Sequence, residues 1–97
     1  MEKKVKIELQ HSSDDFKVLN LKGQAGEVLK KHKVDHNALL LVGTGTIIYQ
    51  EDGQAAKTLS EGNCQSIPAN VFHEVICQDT AQCFVVLSNR AKLRFQK

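Results

Sequence analysis

Histidine and cysteine are the side chains here best suited to site chemistry near neutral pH, and the chain of 97 residues has four of the first and three of the second. His11 and His36 fall in turn-forming stretches, His11-Ser12-Ser13-Asp14-Asp15 and Asp35-His36-Asn37, where Asp and Asn offer their side chains to the backbone. His32 sits in the basic run Lys30-Lys31-His32-Lys33, and His73 opens His73-Glu74-Val75-Ile76-Cys77. Imidazole in such settings serves as a metal ligand or as the polar lining of a pocket. The cysteines, Cys64, Cys77 and Cys83, lack C-x-x-C spacing, and nothing sets one beside an imidazole as an activated nucleophile. Cys77 follows His73 by four residues, about 13 Å along an extended strand, too far for both to hold one ion. No P-loop, G-x-G-x-x-G or H-E-x-x-H pattern occurs.

His73 is delivered by the stretch Gly62-Asn63-Cys64-Gln65-Ser66-Ile67-Pro68-Ala69-Asn70-Val71-Phe72-His73. Gly62 suits a tight turn at positive φ. Pro68, the single proline, cannot donate to a ladder and belongs at a strand end or corner. A strand launched from such a corner aims its first side chain, which makes His73 a candidate site residue.

Composition narrows the options. A chain of this length makes one domain, residues 1–97, with a modest core that oligomerisation would support. The net charge of +2 and the scattered aromatics give no basic stripe with interleaved rings, so nucleic acid is not an expected partner. Lys30 to Lys33 reads as a solvated strand edge. The charged, alternating N-terminus has no apolar signal region, no run approaches the roughly 18 apolar residues of a membrane span, and an odd cysteine count suits reduced thiols. A cytoplasmic protein with no membrane partner is expected.

Period-two alternation dominates the elements that must hold these residues. Val5, Ile7 and Leu9 read as a half-buried strand. Phe16 and Val18 continue the alternation; Leu19 and Leu21 carry it on in the opposite phase, as a bulge or a strand buried on both faces would. Val28, Lys30, His32 and Val34 share one strand face, and Leu29, Lys31 and Lys33 the other. Gly26 to His36 lacks an N-cap and a helical apolar stripe. Ala38 to Val42 and Cys83 to Leu87 are apolar on both faces, and Asp52-Gly53 predicts a type I′ hairpin. With further strands at Thr46 to Gln50, Ala55 to Leu59 and Ala91 to Phe95, the expectation is about eight to ten strands in an all-β antiparallel barrel or sandwich. The outer faces of the two apolar runs need cover, so a homodimer is expected.

Two half-motifs stand in order: Gly26, five residues, His32, Val34, Ala38 and Gly45; then Gly62, five residues, Pro68, Asn70, His73 and Cys77. This spacing resembles the cupin superfamily, whose motifs run G-x5-H-x-H-x3-4-E-x6-G and G-x5-P-x-G-x2-H-x3-N. The resemblance covers roughly Gly23 to Leu87 and implies a small jelly-roll barrel. It also implies a divalent Fe, Mn, Ni or Zn held by two histidines and a glutamate of the first motif and one histidine of the second. Here the first and last ligand positions hold His32 and His73, but Val34 and Ala38 occupy the other two, and neither can coordinate. Asn70 and Cys77 replace the glycine and asparagine of the second motif.

The resemblance thus leaves His32 and His73 facing one cavity with Val34 and Ala38 as the ligand pocket. The cofactor is either none or a weakly bound divalent metal on His32 and His73, with His36 as a further candidate ligand. Lys30 shares the His32 face of a regular strand; it reads first as a flexible, exposed lysine and second as an attractor for an anionic ligand. The preferred function is binding or sensing of a small molecule; the alternative is a metal-dependent oxygenase or isomerase acting on a small polar substrate.

Overall fold

Alternating apolar and polar residues produce ten strands and, among the described residues, no helix. The computed structural model describes residues 4–95. The strands are β1 (Lys6–Ser12), β2 (Phe16–Gly23), β3 (Val28–Val34), β4 (Ala38–Thr44), β5 (Thr46–Glu51), β6 (Lys57–Ser60), β7 (Cys64–Ile67), β8 (His73–Cys77), β9 (Ala81–Ser88) and β10 (Leu93–Phe95). They form two five-stranded sheets, β1-β2-β9-β4-β7 and β10-β3-β8-β5-β6, with antiparallel pairing throughout both. Among the described residues, no helix is long and apolar enough to cross a membrane.

The inner faces of the sheets supply the core. Leu40, Ile47 and Tyr49 are essentially sealed from solvent, and Val75, Cys77, Cys83, Val85 and Leu87 are buried around them. β4 and β9 carry apolar residues on both sides, as their composition requires. Ala38, Leu40 and Val42 point in, while Leu39 and Leu41 stay exposed on the outer face. β2 runs against β9 without a register break from Phe16 to Gly23, so its change of phase reflects burial on both faces, with Asn20 and Leu21 both buried.

Three local expectations need correction. Of the expected half-buried strand, Val5 is buried as read, but β1, which begins after it, is exposed along its length, Leu9 at 63%, because it is the edge strand of its sheet. β3 is not regular. Its register against β8 shifts between Leu29 and His32, so Leu29 turns inward with His32 and Val34, while Lys30 and Lys31 both turn out. Lys30 therefore does not share the His32 face. The hairpin joining β5 and β6 runs through Asp52–Gly53 as expected, but only Gly53 has a positive φ (78°). A type I′ turn needs positive φ at both central residues. Here Gln54 N–H instead donates to the Glu51 carbonyl, closing a turn with glycine at its third position.

Candidate functional site

The corner before β8 is built by local chemistry. β7 ends at Ile67, Pro68 follows, and Asn70 takes φ 64°, a left-handed conformation that Asn tolerates better than most residues. Asn70 N–H donates to the Val34 carbonyl at 2.7 Å, and Ala69 N–H donates to Asn37 Oδ1 at 2.9 Å. The turn that launches His73 is thus tied to the end of β3, the strand that carries His32.

His32 and His73 are direct cross-strand partners, with ring centroids 4.2 Å apart in an edge-to-face arrangement (62°). Both are buried, at 3% and 2% exposure. His32 Nδ1 lies 2.7 Å from the Lys30 carbonyl, and His73 Nδ1 lies 3.1 Å from the Val71 carbonyl. A carbonyl only accepts, so each Nδ1 carries the proton and Nε2 keeps the lone pair. Burial holds both rings neutral. It lowers His32 to about 4, against the opposing pull of the Lys30 carbonyl and with a small contribution from His73. His73 is also lowered by burial, opposed by the Val71 carbonyl and by the charge of Glu51.

The pairing extends across the sheet. Phe95, His32, His73 and Glu51 are successive partners on β10, β3, β8 and β5, so they form one row on the same face. The Phe95 ring lies 5.6 Å from His32, and the Tyr49 ring 5.5 Å from His73. Tyr49 O–H donates to Glu51 Oε2 at 2.8 Å; burial is the main reason its phenol is pushed well above its ordinary value. Sequence reasoning missed Phe95, Tyr49 and Glu51. The strands holding them were legible, but the row depends on the register of four strands remote in sequence.

Val34 and Ala38 line the interior cavity with His32 and His73; the rest of its lining is aliphatic. The cavity is about 20 Å³, and a water needs roughly 10–15 Å³, so it holds about one water and no organic ligand. His36 is not brought to the pair. It stays in the β3–β4 connection, half-exposed, with Nδ1 2.8 Å from Asp35 Oδ1. Cys77 and Cys83 are buried thiols that burial pushes up, Cys83 to about 12, so neither is an activated nucleophile.

No family model matches the sequence, and no curated protein matches it significantly. Solved structures do match. An RmlC-like cupin protein from Desulfovibrio desulfuricans aligns with a TM-score of 0.80 at 23% identity, over 88% of this chain and 82% of that one. An RmlC-like cupin family protein with a double-stranded β-helix fold, from Methanocaldococcus jannaschii, aligns at 0.79 and 20%, over 89% and 81%. This is the cupin fold. The polyketide cyclase RemF from Streptomyces resistomycificus shares it at 0.82 and 15%, over 99% of this chain and 75% of that one.

Cupins commonly hold a metal, and the ring spacing in this cupin-fold chain is compatible with one shared ion. The donor set is not. Among the described residues no group of three or more His, Cys, Asp or Glu could hold a metal, and catalytic sites normally use three protein ligands. The side chains at Val34 and Ala38 extend the apolar wall where further donors would be needed. The arrangement therefore does not fit a resident catalytic metal. It presents two neutral hydrogen-bond acceptors with fixed tautomers on an apolar surface.

Proposed function

We propose that this cupin-fold chain is a small-molecule-binding domain in which His32 and His73 bind the ligand directly, without a resident catalytic metal. The observation that carries the reading is the fixed tautomer of both buried rings, each with Nδ1 committed to a backbone carbonyl. A neutral ring with a free Nε2 lone pair accepts a hydrogen bond, so the ligand group at the pair is a donor, a hydroxyl or an amide N–H. The interior cavity is too small for the body of such a ligand, which must lie outside it, on the side where the exposed Phe95 ring lies 5.6 Å from His32. One fold relative is a polyketide cyclase; for this chain, binding is the reading that uses only the groups present.

Imidazole NMR on the full chain, screening neutral hydroxyl- and amide-bearing compounds, tests this. Ligands are expected to move the ring signals of both histidines and to lose affinity in His73→Ala. Ligands that bind the His32→Ala/His73→Ala double variant as well as the wild type would overturn it.

We further propose that two copies pair through the outer face of β2, β9 and β4. The rows Val18–Val86–Leu39 and Asn20–Phe84–Leu41 lie there, with Leu39 and Leu41 exposed and no charged residue in either row. Sedimentation should give a dimer that Leu39→Glu/Leu41→Glu converts to monomer; a wild-type monomer at micromolar concentration would contradict it.

A further inference from the structure

The β5–β6 hairpin encloses another pocket, of about 190 Å³, lined by Tyr49, Glu51, Gln54, Ala55, Ala56 and Lys57. Its charged lining residues, among those described, are Glu51 and Lys57, of opposite sign. Lys57 lies opposite the buried Tyr49 and two residues before the buried Leu59, so it stands on the inward face of β6, the edge strand of its sheet. Glu51 ends β5 on the same face as Tyr49, whose O–H donates to Glu51 Oε2 at 2.8 Å. That bond holds the carboxylate in place and leaves Glu51 Oε1 to accept from another donor. Lys57 Nζ donates to the neutral Gln65 side chain at 3.4 Å, a long bond. The ion pairs among the described residues lie elsewhere, at Lys6–Glu8, Lys31–Asp52 and Asp35–His36. Glu51 and Lys57 thus share one pocket without neutralising each other.

We propose that this pocket binds a free α-amino acid, with its ammonium at Glu51 and its carboxylate at Lys57. A molecule carrying both charges gains a charge-assisted hydrogen bond at each end, whereas a simple amine or a simple acid meets one like charge. The volume falls below the roughly 300–1,000 Å³ of sites for drug-sized ligands, so the occupant is compact. Ala55 and Ala56 leave a short apolar wall for its side chain. The site goes beyond the reading at the histidine pair, where the ligand is a neutral hydrogen-bond donor.

The test is an amide and imidazole NMR titration of the full chain with L-alanine. L-alaninamide and N-acetyl-L-alanine are the controls, each keeping one of the two charges. L-alanine should bind saturably and shift Glu51, Gln54, Ala55 and Lys57, with each control weaker by roughly tenfold or more. Lys57→Gln, on an exposed side chain, should leave the fold intact and weaken L-alanine by roughly tenfold. Glu51→Gln keeps an acceptor for the Tyr49 O–H and should weaken it by a similar factor. No saturable shift with L-alanine, equal affinity for either control, or unchanged affinity in either variant would overturn the proposal. If L-alanine fails while a neutral hydroxyl compound moves the His32 and His73 rings, the proposal falls and the histidine reading stands. If L-alanine binds at the hairpin and no neutral donor moves those rings, the hairpin site stands and the histidine reading falls.

Discussion

His32 and His73 are held by the same device: each ring's Nδ1 donates to the carbonyl two residues before it, Lys30 for one and Val71 for the other. The two anchors have different origins. Lys30 belongs to the β3 bulge, and Val71 to the corner that follows Pro68 and Asn70. Irregular backbone, a bulge in β3 and the corner before β8, thus yields two matched acceptors on one wall.

The tautomers are directly observable. Long-range ¹H–¹⁵N spectra at pH 7 should show both rings neutral with the proton on Nδ1. On acidification His32 should protonate near 4, and His73 below the ordinary histidine value. Titration of either ring at 6.5 or above would show that burial is not controlling it.

Stability should follow the same protons. An unfolded histidine protonates near 6.5, but His32 in the fold does so only near 4, so between those values the unfolded chain holds more protons. Stability contributed by the neutral ring is therefore complete above about 6.5 and is lost as the pH falls toward 4. The loss attributable to His32 is roughly 3 kcal/mol. Denaturant melts of His32→Leu at pH 7 and pH 4 should show a fall smaller by about that amount. An unchanged difference would contradict the account.

Glu51, the cross-strand partner of His73, acts on that ring, and Tyr49 holds the Glu51 carboxylate. Tyr49→Phe removes a hydrogen bond to a carboxylate and should cost about 1.5–3 kcal/mol in denaturant melts. Glu51→Gln removes the negative charge that favours protonated His73, so its titration should move still further below the ordinary value. A rise would show that Glu51 acts on the ring in some other way.

Asn70 sets the aim of His73 through its positive φ. Asn70→Gly should keep wild-type stability to within a few tenths of a kcal/mol, whereas Asn70→Val, β-branched and forced into the left-handed region, should lose about 1–2 kcal/mol or more. Equal melts for the two would mean that the corner relaxes.

Features governed by local chemistry were legible in the sequence. Gly62 does adopt positive φ (83°) and Pro68 does end its strand at the corner. Val34, Ala38, His32 and His73 line one cavity, but its volume of about 20 Å³, too small for an organic ligand, was not legible. What could not be read depends on distant partners. Alternation places Ile7 and Leu9 on a common face but cannot say that Ile7 reaches the interior cavity while Leu9 stays exposed at 63%. Lys30 was assigned to the wrong face because the β3 bulge exists only as a mismatch with β8. The Phe95–His32–His73–Glu51 row arises from register between strands, which no single stretch encodes.

Metal content per chain tests the central claim most directly, measured on protein purified without chelator and on His32→Ala and His73→Ala. The account predicts Fe, Mn, Ni and Zn all well below one per chain, with no dependence on either histidine. Near-stoichiometric metal in the wild type, lost in both variants, would contradict it and make the pair part of a metal centre.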